Sequence, residues 1–164
     1  MVVPRGEVKM SNGIDQKLSD LSIVLPSAAA PAANYVPYVK IGKMLHVSGQ
    51  ISQNVNGLVV GKLGSDFSID EGYEAARLCG LALIAQVKSA CDGDWSRFKR
   101  VVRLGGFVNS TNTFTEHPKV INGASDLMVE VFGDKGSHAR AAVGSSSLPL
   151  GVAVEVDGIF ELKT

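Results

Sequence analysis

The stretch HARAAVGSSSLPLGVAVEVDGIFEL, residues 138–162, decides the fold and holds the first candidate site. It reads as two strands joined by a turn, a closing hairpin. Side chains alternate between the two faces of a strand. Val152, Val154, Val156, Phe160 and Leu162 therefore share one apolar face, and Ala153, Glu155, Asp157, Ile159 and Glu161 share the other. In the preceding strand Ala141 and Val143 fit the apolar face, which leaves Arg140 and Ala142 opposite. Arg140 and Glu155 are thus expected on one non-core face, either as a salt bridge or as a site for a small anion.

Working outward, the 164-residue chain fits one domain. Hydrophobic residues make up 45% and charged residues 20%, a globular profile. Sixteen Lys+Arg balance sixteen Asp+Glu, which argues against a nucleic-acid partner held by phosphate electrostatics. Cys79 and Cys91 give no disulfide framework, and Cys79 reads as a small core residue. With no signal peptide and no apolar run long enough to span a bilayer, a cytoplasmic protein without membrane contact is expected. His46, His117 and His138 lack metal-ligand spacing, so no metal site is expected.

Residues 1–10 read as a flexible leader, with Met10 as an alternative start. Ile14 to Ile23 carries the apolar spacing of a short amphipathic helix, ended by Pro26. Pro26 to Asn34 reads as a Pro/Ala-rich linker, so the main domain is expected over residues 34–164. Tyr35–Ile41 and Met44–Ser48 read as a hairpin about Gly42-Lys43, with Leu45 and Val47 toward the core and Gly49-Gln50 opening a loop. Asn54–Gly64 reads as a loop with a short strand.

Ser68 and Glu71 form a capping box that starts a helix running to about Ala90. A strand at Val101–Val108 follows, in which Gly105-Gly106 marks a bulge or close packing. A second helix runs from Pro118 to Phe132, stopped by Gly133. The simplest solution is an α+β fold, one sheet with two main helices on one face. The bare face, expected to carry Val36, Tyr38, Ala142 and Ile159, predicts a homo-oligomer with sites between subunits.

Three segments carry a family likeness: NYVPYVKIGKMLHVSGQI (34–51), FVNSTNTFTEHPKVIN (107–122) and HARAAVGSSSLPLGVAVEVDGIF (138–160). In that order they resemble the Rid family of reactive-intermediate imine deaminases, also called YjgF-like or endoribonuclease L-PSP proteins. The resemblance implies a chorismate-mutase-like fold with a single mixed sheet, and a homotrimer. It also implies a cleft between subunits in which an arginine binds the carboxylate of a small metabolite, with no cofactor and no metal. Arg140 matches that arginine, and Glu155 matches the glutamate that positions water. Tyr38, Ser48, Gly49 and Asn122 match other substrate-binding positions of the cleft.

The sequence also departs from the family. Val39-Lys40 stand where Ser-Gln is common, and Ala142 stands for a frequent cysteine. Gly144 to Ser147 replaces a charged pattern, Glu116 to Lys119 looks inserted, and the N-terminal helix is extra. These are the marks of a divergent branch.

The implied reaction is hydrolysis of 2-imino or enamine acids to 2-keto acids and ammonia. Arginine offers a planar fork for a carboxylate, and a glutamate can orient or deprotonate water. Each residue also has a plainer reading. Glu155 also reads as a counter-ion to Arg140, Tyr38 as interface packing, Ser48 and Gly49 as a strand end, and Asn122 as a helix-start support. His138 reads as a loop residue, and Ser145 to Ser147 as a turn. A non-catalytic small-acid-binding or scaffold protein is the alternative function. Ribonuclease and chorismate mutase activities rank below it, because the chain lacks a basic-aromatic stripe and further pocket arginines.

Overall fold

A computed structural model describes residues 13–30 and 34–164 of the chain. The leader expected over residues 1–10 and the linker residues 31–33 lie outside the described residues. In chain order the elements are α1 (Gly13–Asp20), β1 (Tyr38–Ile41), β2 (Met44–Ile51), β3 (Gln53–Asn54), β4 (Gly57–Leu58), α2 (Ile69–Ala90), β5 (Phe98–Asn109), α3 (His117–Phe132), β6 (Ala139–Ser145) and β7 (Val154–Leu162). This is an α+β fold. One five-stranded mixed sheet has the order β1-β2-β7-β5-β6, and β3 and β4 form a small separate hairpin.

The sheet forms as its residues dictate. Gly42 adopts φ +58° at the β1–β2 turn, where a side chain is disfavoured. β2 and β7 pair antiparallel, as do β7 and β5, while β5 and β6 run parallel. Leu45, Val47, Val154, Val156 and Phe160 all point into the core, as their alternation requires. α2 begins with the expected capping box: the Glu71 N–H donates to Ser68 Oγ (3.2 Å) and the Ser68 N–H to Glu71 Oε2 (2.8 Å). α3 ends at Gly133, whose φ of +59° no ordinary helix residue adopts.

α2 packs over β2 and β7, and α3 over β5 and β6. The two helices also touch each other closely. A Cβ on Gly123 would collide with the Tyr73 carbonyl, and one on Gly80 would come within 3.3 Å of the Ala124 Cα. Gly106 is likewise covered: a Cβ there would meet Ile121 at 2.6 Å. This is the close packing that the Gly105-Gly106 pair foreshadowed.

α1 stops at Asp20 rather than near Pro26, because Ser22 turns left-handed (φ +55°) and the Ile23 N–H closes onto Leu18 O at 2.9 Å. Leu18 enters the core. Asp15 accepts from Lys88 Nζ (3.1 Å) and Trp95 Nε1 (3.0 Å), which ties α1 to the helical layer.

Four readings of the sequence are corrected. β6 and β7 do not form a hairpin, because β5 lies between them. Arg140 and Ala142 face the helices and Ala141 and Val143 the bare face, the reverse of the expected parity: Arg140 stands level with buried Leu104, and Val143 with Phe107. Tyr38 also belongs to the helix-covered face, since it pairs with buried Val47 and packs against the core. Finally, Gly49-Gln50 opens no loop, because β2 continues through a bulge to Ile51.

Candidate functional site

Arg140 leaves β6 on the helix side and its guanidinium reaches α3. Nη1 donates to Asn122 Oδ1 (2.8 Å) and to Ser125 Oγ (3.1 Å), and Nη2 donates to the Pro118 carbonyl (3.3 Å). Asn122 and Ser125 are three residues apart on α3 and so share one helix face. Guanidinium has five N–H donors, so these bonds leave the Nε–H and one Nη2–H. That is the donor pair a carboxylate takes side-on. Among the described residues Arg140 has no ion-pair partner, so the salt bridge with Glu155 does not form.

Glu155 sits on the bare face in a cross-strand row, Ile51–Glu155–Phe107–Val143. Burial among these apolar neighbours raises its pKa, and the negative charge of Asp157 adds to the shift. Gly49 lies directly against it: a Cβ on Gly49 would collide with the Glu155 carboxylate. The bulge explains the approach. Between the Val47↔Gly158 and Gln50↔Val156 pairs, Ser48 and Gly49 together oppose Asp157 alone. Ser48 Oγ donates to the Val36 carbonyl at 2.8 Å, which fixes the strand leading to Tyr38.

Within one chain the six candidate residues form two groups. Arg140 and Asn122 meet at the β6 edge. Ser48, Gly49 and Glu155 meet across β2 and β7, while Tyr38 lies on the neighbouring edge strand β1 and on the opposite face from Glu155. Tyr38 and Arg140 end the same cross-strand row, Tyr38–Val47–Gly158–Leu104–Arg140, four strand spacings or about 19 Å apart. Arg140 and Glu155 lie on opposite faces, two strands and three residues apart, about 14 Å between Cα atoms.

Two residues near Arg140 escaped the sequence reading. Ser125 could have been found from its i,i+3 spacing to Asn122. His138, read as a loop residue, is bonded on both ring nitrogens: Nε2 lies 2.9 Å from Ser125 Oγ and Nδ1 lies 2.6 Å from the Gly136 carbonyl. It does lie in the loop before β6, as expected, and its place two residues before Arg140 puts it within reach of the same group. Among the described residues no three metal-ligating side chains come together, and no helix is long and apolar enough to cross a membrane.

Comparison with known proteins agrees with this architecture. Residues 15–162 match the family model described as "YjgF/chorismate mutase-like, putative endoribonuclease". Protein TCP17 of Trypanosoma cruzi is 52% identical over 158 residues, covering 95% of this chain and 98% of that protein. The crystal structure of Atu1372, a protein of unknown function from Agrobacterium tumefaciens, superposes with a TM-score of 0.85 at 44% identity, covering 94% of this chain and 96% of that one. A 2-iminobutanoate/2-iminopropanoate deaminase of Dermatophagoides farinae is 28% identical over 143 residues, covering 86% of this chain and 95% of that enzyme. With the family model spanning nearly the whole chain, and half the residues shared with a full-length relative, the chain belongs to the YjgF/endoribonuclease L-PSP family.

Proposed function

We propose that the protein hydrolyses reactive 2-imino acids to 2-keto acids and ammonia in a cleft between subunits of a homotrimer. One observation carries this reading: Arg140 is held by Asn122, Ser125 and Pro118 with two donors to spare and, among the described residues, no acidic partner. A fixed, uncompensated guanidinium at a sheet edge is built to grip a small carboxylate. The trimer juxtaposes this edge with Glu155, Gly49, Ser48 and Tyr38 of a second copy.

The chemistry follows from the residue types. The arginine fixes the substrate carboxylate, and with it the adjacent imine carbon. Water held by Glu155 adds its oxygen to that carbon, and its proton passes to the carboxylate. With the imine protonated this gives a neutral carbinolamine, which then collapses: Glu155 returns its proton to the amine, the C–N bond breaks, and the hydroxyl proton passes to the departing nitrogen, so that ammonium leaves and a C=O bond remains. The raised pKa of Glu155 suits a group that must both take and return a proton. No cofactor enters this scheme, the partner is a small carboxylate-bearing metabolite, and the expected compartment is the cytoplasm.

The test is ammonia and 2-keto acid release from 2-aminoacrylate generated in situ. Wild-type protein is expected to accelerate release at least tenfold over Arg140→Ala, and equal rates overturn the reading. A second reading, acid binding without turnover, draws on Val39 and Lys40. Lys40 Nζ is committed to the Ala90 carbonyl at 2.6 Å, and exposed Val39 has no polar group to offer a substrate. Binding of 2-oxobutanoate with no catalysis is the result that selects it.

A further inference from the structure

We infer that His138 is a positioning residue for the carboxylate site, acting on Arg140 through Ser125; the inference rests on the reading of Arg140 as the carboxylate anchor. A carbonyl oxygen can only accept, so the 2.6 Å contact with Gly136 O requires His138 Nδ1 to carry a proton. In the neutral ring Nε2 is then an acceptor, and the Ser125 hydroxyl donates to it at 2.9 Å. With its proton turned toward the histidine, Ser125 Oγ presents a lone pair to Arg140 Nη1 at 3.1 Å. Asn122 Oδ1 takes the other Nη1 proton. Both Nη1 donors are thereby fixed, and the guanidinium plane with them.

The far end of this chain of bonds is anchored. A Cβ on Gly136 would collide with the Met128 carbonyl and reach 2.8 Å from the Val129 Cα, so Gly136 lies flat on α3. The next residue is pinned as well: Arg100 Nη2 donates to the Ser137 carbonyl at 3.0 Å. His138 therefore hangs from a fixed backbone and reaches a fixed arginine through one hydroxyl. Side-on recognition of a carboxylate depends on the orientation of the guanidinium as well as on its charge.

The experiment is calorimetric titration with 2-oxobutanoate, in parallel with steady-state kinetics. His138→Leu and Ser125→Ala are each expected to weaken binding about tenfold, the worth of one hydrogen bond to a charged group. The double variant is expected to be no weaker than the worse single variant, because both break one chain of bonds. His138→Gln, which keeps an acceptor near the Nε2 position, is expected to stay within about threefold of wild type. KM is expected to rise with little change in kcat.

Three results overturn the inference. Ser125→Ala binding like wild type leaves the histidine without a route to Arg140, and this variant still decides the matter if His138→Leu does not fold. Losses from the two single changes that multiply in the double variant mean that the residues act independently. His138→Gln as weak as His138→Leu means that the ring acts by packing alone. Arg140→Ala separates the two claims: if it binds 2-oxobutanoate like wild type, the carboxylate-anchor reading itself has failed.

Discussion

Glu155 carries two opposed consequences of one placement. Its residue stands between Ile51 and Phe107, partly buried and with Asp157 nearby, so the folded state favours the protonated form. A carboxyl whose pKa is raised on folding makes the folded state bind more protons than the unfolded one. Its contribution to stability therefore falls as pH rises from the ordinary glutamate value through the raised one, and the penalty is complete above that window. Glu155→Gln removes the penalty. At pH 7 its melting temperature is expected to rise by about 1–3 °C, while deamination falls at least a hundredfold. Differential scanning calorimetry at pH 4.5 and 7 checks the first half: the gain must shrink at the lower pH. A lower melting temperature at pH 7 means that the ionised carboxylate stabilises the fold.

The face of Glu155 was readable in the sequence, but that of Arg140 was not. Parity in β6 follows from Val143 only if a valine points inward. The bare face of this sheet is itself apolar, and Val143 is 47% exposed on it. Where both faces carry valines, alternation cannot say which one the helices cover.

At the scale of elements, the position of α3 fixes the site, because one face of that helix supplies Asn122, Ser125 and the Pro118 carbonyl to Arg140. Its seat is the close contact with α2 at Gly123, where any side chain meets the backbone of Tyr73 rather than a flexible tip. Backbone cannot step aside as a side chain can, so Gly123→Ala must part the two helices. A loss of about 2 kcal/mol is expected, a fall of roughly 4–8 °C in melting temperature, together with reduced affinity for 2-oxobutanoate. Gly13→Ala is the control: nothing lies within 4 Å of a Cβ there, and no loss is expected. Thermal melts followed by circular dichroism check both, and a wild-type melting temperature for Gly123→Ala refutes the backbone contact.

The helices themselves were predictable, since capping box, apolar spacing and stop glycine are local signals. The pairing of strands was not, because it joins distant residues. Loop length argues against a closing hairpin: eight residues separate Ser145 from Val154, more than the two to five of a usual hairpin loop. That length lets the chain pass the end of β5 and place β7 on its other side.

At the scale of the whole molecule, the sheet has helices on one face only among the described residues. The other face carries Ile41, Ile51, Phe107, Val143 and Ile159, with Ile41 65% exposed. An apolar surface of this kind calls for a partner, and the divided candidate site calls for the same one. A single copy separates Arg140 from Glu155 by a strand and a change of face, so under the proposed reaction a monomer cannot bring carboxylate and water to the same imine. Assembly and catalysis should therefore fail together. Val143→Asp places a charge on the bare face without touching the hydrogen bonds that hold Arg140. Sedimentation velocity is expected to find wild-type protein as a trimer and Val143→Asp as a folded monomer. Imine hydrolysis by that monomer is expected to fall at least a hundredfold, while its Arg140 remains bonded to Asn122 and Ser125. A monomeric variant that hydrolyses imines at the wild-type rate would place the complete site within one chain and refute the cleft.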